Sequence, residues 1–374
     1  MTIGILKENN GENRVSMLPE GVAALIKLNV SVKVETGAGI GSFSSDTEYS
    51  NVGATICSRA DVLKSDILLG IHGLEDAEIA TIAKNTILFG QYLPLFNGAK
   101  MKSVAEKGLT LFSMDMLPRT TRGQAMDVLS SQANLAGYKA VVLAATNYSR
   151  LFPMLMTAAG TITPAKVLIL GAGVAGLQAI ATAKRLGAQV EVFDTRPAVK
   201  EECQSLGAKF IEVEGAADAS KAGGYAVEQS KEYQDRQKAK IHEHASKADI
   251  IITTAQIPGR KAPILVEKAT VETMKPGSVI VDLAASTGGN TEFTKNNETV
   301  VINGVKIIGQ SNLAGETSLD ASKLYGKNLI NFLKLIIDKE GNTNLNWEDD
   351  LVKGTCVTHG GQITNERVKE AANN

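Results

Sequence analysis

The chain has 374 residues, 44% hydrophobic and 21% charged, with a formal net charge of −1. That length allows two domains that each bury a core, while balanced charge with Lys and Arg spread along the chain excludes a basic nucleic-acid surface, so no nucleic-acid partner is expected. Cys57, Cys203 and Cys356 are widely separated and lack C-x-x-C spacing, which suits a reducing compartment and argues against a structural zinc; no metal site is expected.

The N-terminus, MTIGILKENN, enters a strand-like run directly, without a signal-peptide pattern. The most apolar segments are broken by Gly, Pro, Asn or Arg within about a dozen residues, too short to span a bilayer, so a soluble chain is expected. Residues 2–5 and 30–35 read as strands around a helix over 19–28, an opening βαβ unit. It ends in Gly37, Gly39 and Gly41, which mimic a phosphate-binding fingerprint. The third glycine falls one residue early, residues 42–46 do not read as a helix, and no matching acid follows a second strand. Residues 66–71, 86–89 and 109–112 continue the β pattern of a first α/β domain.

Arg119, Thr120, Thr121 and Gln124 then lead into a helix expected over 125–147. On a 3.6-residue wheel Gln124, Asp127, Ser130, Ser131 and Asn134 share one face, and Met126, Leu129, Ala133 and Ala136 the other. A stripe of amides and hydroxyls differs from a solvated face, which would carry Lys and Glu. It reads either as an interdomain helix bonded to a neighbouring loop or as a wall that faces a nucleotide.

The second domain begins near Gly137. A buried parallel strand over 166–170 runs into Gly171, Gly173 and Gly176 in G-x-G-x-x-G spacing, then a helix opened by Val174 and Ala175, then a strand over 189–193 ending at Asp194. Gly171 serves the tight turn, Gly173 lets backbone reach a pyrophosphate, and Gly176 allows close packing of helix on strand, with the helix N-terminus facing the phosphates. The Asp194 carboxylate would accept both ribose hydroxyls and repel a 2′-phosphate, which points to NAD rather than NADP. Residues 214–225 form a small-residue, glycine-rich stretch composed like a mobile lid. A charged helix follows over 231–247, where His242 and His244 have no acidic or Cys partner at ligand spacing and read as a solvated face. Strands over 250–254, 279–283 and 306–308 and an amphipathic helix over 322–338 complete the pattern, and the tail through Trp347 and His359 is expected to fold back on the first domain. The fold class is therefore α/β: two Rossmann-like domains with mostly parallel sheets, 1–136 plus 318–374 and 137–317, joined by long bridging helices, with the cofactor in the interdomain cleft.

With residues 118–138, the fingerprint and Gly223-Gly224-Tyr225 in view, the chain resembles the NAD(H)-binding component of proton-translocating nicotinamide nucleotide transhydrogenases, relatives of alanine dehydrogenase. The likeness covers nearly the whole length, and RGQAMDVLSSQANLAGYKAV from Arg122 to Val141 is its most specific block. The resemblance implies a homodimer that binds NAD(H) and passes hydride to NADP(H) on a separate component. It also implies membrane-embedded components that carry the proton, which would place this chain in the cytoplasm, peripheral on the inner face of the membrane.

Carried over residue by residue, Arg119, Gln124, Asp127 and Ser130 surround the nicotinamide half, with Thr120, Thr121, Ala125 and Met126 among the residues that bind the cofactor. Gln124, Arg119, Asp127 and Ser130 are the residues of the transfer step. Gly171, Gly173, Val174, Ala175 and Gly176, with Asp194, Thr195 and Arg196, take the pyrophosphate and adenosine; Gly224, Tyr225, Ala255 and Gln256 form the closing side. An alanine-oxidising relative would need a proton-transferring His, a Lys and an Asp, which align here with Pro94, Gly70 and Ser286. His72 lies near by, and Arg14 remains in Glu12-Asn13-Arg14-Val15. Oxidising an amino acid removes a proton as well as a hydride and calls for a general base. Moving hydride between two nicotinamides calls only for positioning. The alternatives are an NAD-dependent amino-acid dehydrogenase and a catalytically silent NAD-binding regulator.

Overall fold

The computed structural model describes residues 1–9, 11–217 and 229–373. They form two compact units, Met1–Gln132 with Gly315–Asn374, and Ala133–Ala314. The first unit opens with β1 (Thr2–Ile5), α1 (Pro19–Ile26), β2 (Ser31–Glu35), α2 (Asp46–Asn51), β3 (Thr55–Cys57) and α3 (Arg59–Val62). It continues with β4 (Ile67–His72), α4 (Asp76–Thr81), β5 (Ile87–Gln91), α5 (Gly98–Glu106) and β6 (Thr110–Ser113). The strands lie in the order β6-β5-β4-β1-β2-β3, all parallel. Ile3, Ile5, Ile67, Leu68 and Leu69 are at most 1% exposed, as unbroken β-branched and aliphatic runs must be when helices cover both sheet faces. Local signals set the helix starts: Pro19 stands in the first turn of α1, and Ser45 with Glu48 forms a capping box at α2.

Helix α6 (Val128–Asn147) contains the point, between Gln132 and Ala133, where the chain passes into the second unit. There follow a hairpin of β7 (Leu155–Thr157) and β8 (Gly160–Ile162), then β9 (Lys166–Leu170), α7 (Val174–Arg185), β10 (Gln189–Phe193), α8 (Lys200–Ser205) and β11 (Lys209–Phe210). After α9 (Lys231–Ala245) come β12 (Ile250–Thr253), α10 (Lys268–Thr273), β13 (Val279–Asp282), β14 (Thr299–Ile302) and β15 (Val305–Ile308). The sheet order is β11-β10-β9-β12-β13-β15-β14, parallel except for the edge strand β14. Because β10 and β12 leave β9 in opposite directions, the carboxyl end of β9 is a topological switch point, where open α/β sheets bind ligands.

The chain returns to the first unit with α11 (Ser318–Ile336), α12 (Asp350–Thr355), β16 (Cys356–His359), β17 (Gln362–Ile363) and α13 (Glu366–Asn373). Strand β16 adds antiparallel to β6, and β17 to β16, giving eight strands. Helix α11 buries Tyr325, Leu329, Phe332, Leu333 and Ile336, and the Phe332 ring sits 5.6 Å from that of Phe89 and 5.4 Å from that of Phe112.

Three expectations are corrected. The helix expected from 125 begins at Val128, because Asp127 (ψ 94°) turns the chain and its carboxylate accepts the Ser130 N–H at 2.9 Å as an N-cap; Gln124–Met126 is a separate 3-10 turn. Gln124 and Met126 therefore lie outside the helix on which the expected wheel placed them, and Leu129 on it is 38% exposed. Helix α11 starts at Ser318, four residues before the apolar pattern becomes readable. His242 and His244 are not merely solvated: His242 Nδ1 bonds Thr270 Oγ1 at 2.9 Å and His244 Nδ1 bonds Glu191 Oε2 at 2.6 Å.

Candidate functional site

In the second unit, the loop between β9 and α7 has the geometry of a phosphate cradle. Gly171 has φ +105°, and a Cβ there would lie 2.4 Å from Thr254 Oγ1. Gly176 is required by contact, since a Cβ on it would fall 1.9 Å from the Gly171 carbonyl oxygen. At Gly173 the opposite holds: an added Cβ would meet nothing within 4 Å, so the backbone faces open space. Gly173 is also the N-cap of α7 and gives it no side-chain cap, which leaves the first-turn N–H groups of Val174 and Ala175 for an outside acceptor. An open approach, uncapped donors and a dipole end fit a dinucleotide pyrophosphate. The glycines of the mimic, by contrast, are crowded by their own chain: a Cβ on Gly39 would lie 2.7 Å from Ser44 O, and one on Gly41 2.7 Å from Asn13 O.

Asp194 follows β10, with Thr195 and Arg196 beside it. Its Oδ1 accepts from Arg196 N (2.8 Å) and Nε (2.9 Å), and its Oδ2 accepts from Ala172 N (2.7 Å) and Arg196 Nη2 (2.7 Å). A carboxylate has about four lone-pair sites, and all four are in use. A ribose diol therefore reaches Asp194 only by displacing the guanidinium, and the pairing cancels part of the charge expected to repel a 2′-phosphate.

Ala255 and Gln256 sit just past β12. Asn290, fully buried, accepts the Ala255 N–H at 3.0 Å and donates to the Ala255 carbonyl at 2.9 Å, while Gln256 Nε2 donates to Leu283 O at 2.9 Å. Asn290 is held in turn by Asp282, whose Oδ2 accepts its backbone N–H at 2.6 Å. Neither Asn290 nor Asp282 carries a motif; only the buried acid at the end of an apolar strand hinted at a role. Gly224 and Tyr225, with most of the expected lid, lie outside the described residues.

In the first unit, residues 119–130 form a polar ledge. Arg119, Thr120, Thr121, Gln124 and Ala125 are exposed and Met126 is buried. Asp127 accepts from Ser130 Oγ at 2.6 Å, and Arg119 Nη2 lies 3.5 Å from Ser130 Oγ and 4.0 Å from Asp127 Oδ2. The fold thus brings Arg119, Asp127 and Ser130 into one group, with Gln124 on the adjoining turn.

A second polar cluster in the same unit lies at the carboxyl ends of β1 and β4. Arg14, 6% exposed, forks onto Glu12 (Nε to Oε1 2.9 Å, Nη2 to Oε2 2.6 Å) and donates from Nη1 to Gln132 Oε1 at 2.8 Å. His72 Nε2 reaches Glu12 Oε2 at 2.9 Å. Burial pushes the Glu12 carboxyl up, but the bonds from Arg14 and His72 outweigh it and hold the group well below the usual range. Glu8, whose oxygens accept the Ile71 and His72 N–H groups, is pushed up by burial. At Gly70, where the relative would need Lys, an added Cβ would be tight, 3.2 Å from His72 O and 3.4 Å from Glu8 Oε1. Pro94 is buried and Ser286 exposed.

Among the described residues no group of three His, Cys, Asp or Glu is placed to hold a metal ion, and no helix is long and apolar enough to cross a membrane. Residues 4–136 match the alanine dehydrogenase/PNT N-terminal domain, and residues 140–366 match the C-terminal domain of the same family. A Rhodospirillum rubrum protein named for the alpha subunit of NAD(P) transhydrogenase is 45% identical, covering 97% of each chain. The transhydrogenase structure from Sinorhizobium meliloti superposes with a TM-score of 0.89 at 46% identity, over 97% of this chain and 100% of that one. An L-alanine dehydrogenase structure gives a TM-score of 0.83 at 25% identity, over 99% of both chains.

Proposed function

Because the chain belongs to the alanine dehydrogenase/PNT family, we propose that it is the NAD(H)-binding component of a transhydrogenase, passing hydride between NADH and NADP+ held on a separate component. The observation that carries this reading is the chemistry of the ledge: exposed Arg119 and Gln124 backed by Asp127 and Ser130, with no histidine among residues 118–134. Hydride passage between two nicotinamides releases no proton, so the ledge has only to orient the rings and exclude water.

The dinucleotide supplies the hydride when bound; the chain holds and aims it. The open backbone at Gly173 and the α7 N-terminus take the pyrophosphate, and Asp194, released from Arg196, takes the ribose. Arg119 steadies the nicotinamide carboxamide or a phosphate, fixed from behind by Asp127 and Ser130. Gln124, an amide that donates and accepts at once, bridges the two nucleotides. Tyr225 and Gly224 close the site. The partners are a second copy of the chain, the NADP(H)-binding component and membrane-embedded components that couple transfer to proton movement, which puts the chain at the inner face of the membrane.

Amino-acid oxidation is disfavoured by the second cluster. The Arg14 fork, the one group there suited to a substrate carboxylate, is filled by Glu12 and Gln132.

The test is a single-turnover assay of the purified chain with NADH and an NADP+-loaded NADP(H)-binding component from a relative. NADPH should form, Gln124→Asn should slow its formation by about 10²-fold, the scale of a 1 Å misplacement, and NADH affinity should change little. NADH formed from alanine and NAD+, without any NADPH in the first assay, would move the chain to the dehydrogenases. Tight NADH binding with neither reaction would make it a silent regulator.

A further inference from the structure

Helix α11 carries two asparagines whose side chains leave the core and end on a single carbonyl of the ledge. Asn328 Nδ2 donates to Ala125 O at 2.8 Å, and Asn331 Nδ2 donates to the same oxygen at 3.0 Å. Asn328 is 8% exposed among Tyr325, Leu329 and Phe332, each fully buried. An amide there is a poor helix former and costs free energy to bury unless it is bonded. Packing alone would favour an aliphatic side chain at that position.

The orientation of the Asn328 amide is fixed by elimination. Ala125 O can only accept, so the NH2 group must face it. The Asn328 oxygen then faces Ser131 Oγ at 2.8 Å, and the hydroxyl must give its proton there rather than to Val128 O at 3.1 Å. Ser131 also lies 3.5 Å from Gln132 Nε2, and Gln132 accepts from Arg14. A continuous series of hydrogen bonds therefore runs from the buried Arg14–Glu12 pair to the Ala125–Met126 peptide, one residue past Gln124.

We propose that Asn328, oriented by Ser131 and assisted by Asn331, is a positioning residue for the transfer step: it clamps the Gln124–Met126 turn so that the exposed Gln124 side chain projects from a fixed backbone. The remaining sides of that turn are already held, by buried Met126 and Val128 and by the Asp127 cap. With its carbonyl tied by two donors, the turn has a fixed peptide plane although its side chain is solvent-facing. A reacting group needs this arrangement when it must be accurate to about half an ångström before its ligand arrives.

This inference rests on the transhydrogenase reading, and the experiment separates the two. Asn328→Ala, Asn331→Ala and Ser131→Ala are compared with wild type for NADH affinity, melting temperature and single-turnover hydride transfer to the NADP+-loaded partner component. Asn328→Ala should slow transfer about tenfold and Asn331→Ala about threefold, with NADH affinity within about twofold of wild type. Ser131→Ala combined with Asn328→Ala should be no slower than Asn328→Ala alone, since Ser131 acts through it. Variants that melt earlier yet transfer at the wild-type rate per folded molecule would overturn the clamp, as would an affinity loss as large as the rate loss. Should Asn328→Ala fail to fold, the half-buried Asn331→Ala decides by the same readouts. A wild-type chain that transfers no hydride overturns the underlying reading, and the clamp with it.

Discussion

At the scale of single residues, the pairing of Asp194 with Arg196 changes what an acid at the end of β10 means. From sequence the carboxylate is a charge that rejects a 2′-phosphate. In the fold it is one half of a bidentate pair, and the other half is a cation suited to that same phosphate. On the proposed reading, NAD specificity depends on Asp194 holding Arg196 until a ribose diol competes for the carboxylate. Asp194→Asn should weaken NADH binding by about tenfold, or ~1.4 kcal/mol, and release the guanidinium so that NADPH binds better than it does to wild type. Calorimetric titration of both nucleotides against both proteins measures this; NADPH binding left unchanged by the substitution would refute it. The acid was legible because its place after a second strand is fixed by the fold. Its partner two residues on was not, because the sequence around Arg196 cannot show that the side chain turns back. Arg14 and Glu12 stand in the same relation, close in sequence but paired only through a loop conformation.

At the scale of elements, strand centres were readable and element ends were not. Val167–Leu170 is apolar and residues 189–193 alternate Gln, Val, Glu, Val, Phe, and β9 and β10 form over these runs. The start of helix α6 is hidden in the sequence, because Gln124, Asp127 and Ser130 keep helical spacing across a break that only the Asp127 cap reveals. The edge strands β14 and β17 are hidden too, since antiparallel additions of two to four half-exposed residues carry little pattern. The βα turn was read glycine by glycine, and its geometry sharpens the reading into a paired prediction. Gly176→Ala sets a methyl group 1.9 Å from the Gly171 oxygen, so α7 must move off β9, and the melting temperature should fall by several degrees. Gly173→Ala meets no atom within 4 Å, so its melt should stay within about 1 kcal/mol of wild type while NADH affinity falls at least tenfold. A thermal melt beside a binding titration checks both, and equal effects of the two substitutions on stability would contradict the assignment of Gly173 to the ligand.

At the scale of the whole molecule, the two units differ in how they are closed. The second unit, Ala133–Ala314, is one continuous stretch. Its two apolar clusters, around Ile169, Val190 and Ile252 on one face of the sheet and Leu170, Ile251 and Ile280 on the other, draw only on residues within that stretch. The first unit depends on both ends of the chain. Its main cluster joins Ile3, Ile67 and Phe89 to Tyr325, Leu329, Phe332 and Cys356, and its sheet ends in β16, which pairs with β6. A fragment of residues 133–314 should therefore unfold cooperatively, and it should still bind NADH through the cradle. A fragment of residues 1–132 should not fold, because it leaves β6 as an open edge and removes Phe332 from the stack on Phe89 and Phe112. Circular dichroism melts and calorimetric titration of the two fragments test this. A cooperative melt for 1–132 would mean that the returning chain decorates a core already complete. Without one, the first unit forms only after synthesis has passed the second, so the unit with the glycine turn between β9 and α7 folds before the unit that carries residues 119–130.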